Sequence, residues 1–159
     1  MYDPFKFRQE VIKPALLAID LYSLAAENLL LGTALQESLL EYTHQIGGPA
    51  LGYFQMEPNT YYDIFTNYLE YRPNLFAKVI NLVAYNTLTV PKADLLITNH
   101  KFSAAMCRVK YARVPKLIPL ANDIIGMANY WKTYYNSSQG AGTIQEFIDK
   151  YNKWGGTNE

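Results

Sequence analysis

Residues 23–42 read SLAAENLLLGTALQESLLEY, and this stretch decides the fold. Ser23 is a helix N-cap residue, because its short hydroxyl can accept from a backbone N–H in the first turn. Behind it, residues 24–35 are apolar on nearly every face, with little beyond Glu27 and Asn28 to break the pattern. A helix that is apolar all round belongs at the centre of a core. The spacing therefore predicts a buried central helix over residues 23–42, with everything else packed around it.

The flanking sequence is helical almost throughout. A first helix is expected over residues 5–21, kinked or broken at Pro14. Residues 43–56, THQIGGPALGYFQM, read as a Gly-rich loop that can hold a short irregular hairpin. Thr60 and Asp63 form a capping-box-like start for a helix to about Tyr71, and Pro73 starts another to about Val83. Pro91 opens a short helix, and a longer one is expected over residues 98–114. Pro115 and Pro119 bracket a turn before a helix over residues 120–135. Residues 136–142, NSSQGAG, form a polar loop. Thr143 and Glu146 make a full capping box for a last helix carrying Phe147, Ile148, Tyr151 and Trp154 on one side. No segment alternates as a strand. The expectation is one all-α domain over residues 1–159.

Composition narrows the function classes. The chain has 159 residues, half of them hydrophobic and 18% charged, which excludes a disordered segment. Surface scaling allows about 69% of its surface to be buried, enough for a core without staples. Basic and acidic side chains number 14 each, so no basic excess exists for nucleic acid. The longest uncharged stretch, residues 42–56, is too short and too broken to span a membrane. The single Cys107 sits in an apolar helical pattern and reads as a buried small hydrophobe. His44 and His100 lack partners at ligand spacing, and no phosphate loop, dinucleotide motif or nucleophile elbow is present, so neither metal nor cofactor is expected. Charges near the start occupy the place of a signal peptide's apolar region, so synthesis in a cytoplasm without the usual export is expected.

One residue stands apart. Glu37 lies near the C-terminal end of the central helix, just before the Gly-rich loop. Partial burial and the negative end of the helix dipole both disfavour its charge, which is what a general acid working near neutral pH requires. The competing reading makes Glu37 the first polar residue as the helix surfaces.

Glu37 and Ser38, followed by Gly52, Gln55, Pro58 and Thr60, resemble the soluble lytic transglycosylase and goose-type lysozyme family. That family carries a Glu-Ser and then a loop of the form Gly-Leu-Met-Gln-Ile-x-Pro with a Thr. The resemblance covers residues 29–60. A third family element, Ala-Tyr-Asn-Ala-Gly, is matched only by Tyr111, without the Asn or the Gly. Residues 26–38, 48–60 and 130–143 also resemble a group of small tailed-bacteriophage proteins, virion components with a lysozyme-like domain.

The resemblance implies a peptidoglycan-cleaving enzyme in which Glu37 protonates the oxygen of the β-1,4 bond between N-acetylmuramic acid and N-acetylglucosamine. Gln55, Tyr53 and Tyr111 would line the cleft and orient the sugar. A transglycosylase needs this one carboxylate, whereas a hydrolase needs a second, for which Glu57 and Asp63 are nearest in sequence. No Asp stands at an obvious partner spacing to Glu37, so 1,6-anhydro products are expected. The alternative is a catalytically inactive structural tail or baseplate protein on the same scaffold; a helical adaptor without a phage link is a third reading. Expected partners are glycan strands and other tail or baseplate proteins. The 14 tyrosines suit interfaces as well as core margins, with residues 61–71 and 130–154 the expected docking surfaces.

Overall fold

A computed structural model describes residues 1–136 and 140–156 of the chain. The architecture is all-α, as expected. Among the described residues, the only strand-like pairing is two isolated bridges, His44 with Leu51 and Leu51 with Met56, inside the Gly-rich loop.

The first helix begins at Pro4, whose fixed φ suits the first helical position, with Asp3 accepting from the Lys6 N–H at 2.9 Å. It is interrupted rather than kinked. After α1 (Pro4–Phe7) comes a π-helical turn (Arg8–Ile12), then α2 (Lys13–Ala18). Proline has no N–H and its ring crowds the carbonyl four residues back, so the wider turn ahead of Pro14 relieves that clash. The widened turn also turns Arg8 inward, where it is 1% exposed. Its guanidinium donates to Glu27 Oε2 at 2.8 Å, to Asn28 Oδ1 at 2.5 Å and to the Gly155 carbonyl at 2.8 Å. This network ties the two ends of the chain to the central helix.

That central helix, α3 (Leu24–Ser38), is buried along nearly its whole length, and Ser23 caps it by accepting from the Ala26 N–H. It stops at Ser38, four residues before the expected end. Leu39 and Leu40 both adopt positive φ, which ends the helical path at once. The next helices are α4 (Pro58–Asn67), α5 (Pro73–Asn81), α6 (Leu95–Thr98) and α7 (His100–Ala112). The Thr60–Asp63 cap does not form, because α4 already starts at Pro58. The short helix expected at Pro91 starts only at Leu95. Asn99 starts α7 by accepting from the Phe102 N–H. The last two are α8 (Ile124–Tyr134), started by Asp123 rather than near Leu120, and α9 (Ile144–Trp154), started by Thr143. Only half of the Thr143–Glu146 box is present: Thr143 accepts from the Glu146 N–H, while the Glu146 carboxylate is engaged by Gln36.

Two apolar clusters share the interior. α3 packs with α8, α9 and the N-terminal helices in one, while α4, α5 and α6 form the other. α7 lies between them, giving Ala104, Cys107 and Tyr111 to the first and Phe102, Ala105, Met106 and Val109 to the second. α9 approaches α3 closely at Gly32, where an added Cβ would stand 2.3 Å from the Phe147 ring. Glycine here lets α9 lie directly against α3, and so sets where the polar ends of both helices meet.

Most aromatics of the two expected docking surfaces are interior: Tyr61, Tyr130, Trp131, Tyr135, Phe147 and Tyr151 are buried, whereas Tyr62, Tyr71 and Trp154 are exposed. Cys107 is buried, and burial pushes its thiol far above the ordinary range, as befits a packing residue. Among the described residues, no helix is long and apolar enough to cross a membrane, and no group of three or more metal-ligating side chains gathers.

Candidate functional site

Where α3 ends, the chain opens a cleft of about 570 Å³. Gln36 and Glu37 line it from α3, Gln55, Glu57 and Thr60 from the Gly-rich loop and the start of α4, and Lys110 from α7. Tyr42, Gln45 and Ala50 add to the loop side, and another wall is built by Tyr135 and Asn136 after α8, residues 140–142, and Glu146 and Lys150 of α9. The Glu37 carboxyl is half-buried here, and its Oε1 accepts from the indole N–H of Trp131 at 2.9 Å. Trp131 is fully buried, so this donor is rigid.

The electrostatics follow from that placement. Burial pushes the Glu37 carboxyl above the usual carboxylate range. The Trp131 hydrogen bond, and then the charges of Lys110, Lys150 and Lys132, oppose the rise without cancelling it. Because an N–H occupies Oε1, a protonated Glu37 carries its proton on Oε2. A half-buried carboxyl of raised pKa, with one oxygen fixed and the other able to donate, is equipped for general acid work.

The neighbouring residues hold this group in place. Ser38 does not point into the cleft. Its Oγ donates to the Tyr53 carbonyl at 2.7 Å and accepts from the Leu40 N–H at 3.2 Å, tying the helix end to the Gly-rich loop. Tyr135 anchors the same loop, donating to the Phe54 carbonyl at 2.6 Å. Tyr42 donates to the Glu37 carbonyl at 3.0 Å. Across the cleft, Lys132 gathers the wall after α8 by donating to Asn136 Oδ1 and to the carbonyls of Gly140 and Gly142, all within 3.1 Å.

Of the residues marked from sequence, the structure brings together Glu37, Gln55 and Glu57. Gln55 has φ 50°, and its amide donates to the Gly52 carbonyl at 2.8 Å, so its side chain braces the loop at the cleft wall. The other three lie elsewhere. Tyr111 is 1% exposed, its hydroxyl is bonded to Thr33 Oγ1, and its ring is packed between Tyr130 and Tyr135. It supports the cleft from below and does not line it, because α7 passes between the two apolar clusters at this point. Tyr53 contributes its carbonyl to Ser38, while its ring packs on Phe7 and His100 away from the cleft. His100 is half-buried there, and burial pushes its imidazole below the usual range. Asp63 lies on α4 outside the cleft lining. Its hydrogen bonds from Arg113, at 2.7 Å, and from Asn67 hold its carboxyl below the usual range. Such a carboxylate is a poor base.

The sequence reading missed Trp131, Lys110, Lys150 and Glu146 as site residues. Trp131 carries only the signal of a core aromatic, and Glu146 only that of a cap. Each reaches the cleft because α8 and α9 pack against α3. The chain matches no family model, no curated protein and no solved structure.

Proposed function

We propose that the cleft cleaves the β-1,4 bond between N-acetylmuramic acid and N-acetylglucosamine in peptidoglycan, on a lysozyme-like helical scaffold, with Glu37 as the proton donor. The observation that carries this reading is the Glu37 carboxyl itself: half-buried in a saccharide-sized cleft, with Oε1 held by Trp131 at 2.9 Å and its pKa raised by burial. Glu37 Oε2 protonates the glycosidic oxygen as the bond to the muramoyl C1 breaks. The resulting carboxylate then takes the proton of the muramoyl 6-hydroxyl, and that oxygen closes a 1,6-anhydro ring on C1. The three lysines around Glu37 stabilise the charge it holds between these steps. The Ser38 and Tyr135 hydrogen bonds to the loop keep Gln55 against the bound sugar. The motif resemblance further supports a role in a phage particle, at the tail or baseplate, during wall penetration.

Glu57 and Glu146 share the cleft with Glu37, so a carboxylate that could activate water is at hand. Product masses separate the two chemistries. Anhydro ends, lighter by one water, are expected; reducing ends alone would assign the base to Glu57 or Glu146. The test of the whole reading is turbidity clearing of purified peptidoglycan. Glu37→Gln should keep the fold and lower the rate by roughly two to four orders of magnitude. Equal clearing by both proteins overturns the Glu37 assignment. No clearing by the folded wild-type protein would make it a structural component.

A further inference from the structure

We propose that the end of the molecule opposite the cleft, where Leu24, Leu117, Leu120 and Ile125 stand in solvent, is a surface on which a second copy of this chain docks. The connection from α7 to α8 is pinned there at three points. The Tyr130 hydroxyl donates to the Lys116 carbonyl, Asn28 Nδ2 to the Ala121 carbonyl and the Asp123 N–H to the Leu120 carbonyl, each at 2.9 Å. Pro115 and Pro119 stiffen it by fixing φ, and Ile118 packs inward on the core. The side chains that face outward from this fixed segment are nevertheless apolar: Leu117 is 95% exposed and Leu120 74%. Ile125, in the first turn of α8, and Leu24 are each more than half exposed. Leu24 joins the same patch because it lies one turn before Asn28 on α3, and Asn28 holds Ala121 next to Leu120. The four side chains present roughly 500 Å² of apolar surface, near the upper end of what a monomer leaves in water.

Charge selects the occupant. Across residues 114–131 the only charged side chains are Lys116 and Asp123, one of each sign. Neither joins an ion pair among the described residues. An anionic lipid surface or a strongly charged partner is matched by an excess of one sign, which this patch lacks. A two-fold axis through the patch lays it on itself, and the same operation lets Lys116 of each copy meet Asp123 of the other. With the exposed rim of Tyr22, Pro115 and Asn122, the area covered on each copy approaches the roughly 800 Å² of a standard interface. From Leu24 to Glu37 the rise along α3 is about 20 Å, and α8 runs the same way, from Ile125 to the cleft wall at Tyr135. Both clefts of the dimer therefore face outward, whatever they bind.

The experiment is sedimentation equilibrium of the full chain from about 1 to 200 µM, the span over which a weak dimer dissociates. The mean mass should rise from 18.2 kDa toward twice that value. Leu117→Glu with Leu120→Glu, both at solvent-facing positions, should keep the helical circular dichroism and hold the mass at that of one chain. Asp123→Asn retains the α8 cap, since asparagine caps as well as aspartate, and should weaken association about fivefold through the two charge pairs lost. A wild-type chain that stays monomeric throughout overturns the proposal, as does a dimer that the two glutamates leave intact. An Asp123→Asn chain that dimerises as tightly as wild type overturns the two-fold arrangement. Flotation of wild type with phosphatidylglycerol vesicles, without a rise in mass, would assign the patch to a lipid surface and overturns a second copy equally.

Discussion

Replacing Trp131 with Phe removes the one hydrogen bond that the Glu37 carboxyl accepts among the described residues, while leaving an aromatic ring in the interior. The Trp131 N–H lies 2.9 Å from Oε1 and comes from a fully buried side chain. A hydrogen bond to a charged acceptor contributes about 1.5–3 kcal/mol, and one to a neutral acceptor about 0.5–1.5 kcal/mol. The difference, on the order of 1.4 kcal/mol, is what the indole adds to the ionised form. Burial already holds the Glu37 pKa above its unfolded value, and Trp131 works against that rise. Losing the indole therefore drives the pKa further up. The sign for stability follows from the same direction. A carboxyl whose folded pKa exceeds its unfolded one favours folding fully below the unfolded value, and the favour is lost as pH rises through the folded one. In Trp131→Phe that loss moves to higher pH and grows larger, so the variant should lose more stability than wild type between acid and mildly alkaline pH. NMR titration of the protein labelled with ¹³C at glutamate side-chain carboxyls reads the Glu37 pKa directly, whatever the activity. A folded Trp131→Phe protein whose Glu37 pKa is unchanged or lower would refute the assignment of the indole as the fixing donor.

Two further perturbations test the scaffold. Glu27→Gln leaves the buried Arg8 guanidinium without its 2.8 Å counter-charge, and should cost about 3–5 kcal/mol in urea unfolding at an unchanged m value. The double change Arg8→Met with Glu27→Leu should recover most of that loss, and its failure to do so would mean that the pair contributes net stability. Gly142 has φ 94°, and an added Cβ would lie 2.7 Å from Gln36 Nε2 and 3.2 Å from the Trp131 ring. Gly142→Ala should therefore cost on the order of 1–3 kcal/mol and displace the wall beside Glu37, read as a lower melting temperature together with a moved Glu37 titration. An alanine variant with both readouts unaltered would show that this wall yields freely.

The caps at Ser23, Asn99 and Thr143 do what their chemistry dictates, because a capping hydroxyl or amide acts on a backbone N–H three residues away. The apolar run of α3 leads to burial for an equally local reason, since no face of it can be left in water. Local signals failed where two of them competed: Pro58 started α4 ahead of Thr60, and the π-helical turn answered Pro14 without ending the helical path. Glu37 was legible because the cause of its raised pKa, a carboxyl at the end of a buried helix, is written within a few residues of it. Its partners were not. Trp131 is 94 residues away, and Lys110 and Lys150 stand on helices whose rotation about their axes depends on contacts such as Gly32 against Phe147. Tertiary packing likewise buried Tyr111 and laid the Tyr53 ring against Phe7, away from the cleft. Thus residues 23–42 determined on their own that the protein is built around one buried helix ending in an acid. Which oxygen of that acid is fixed, and which lysine charges act on it, was decided only when α7, α8 and α9 closed around α3, because those contacts join side chains far apart along the chain.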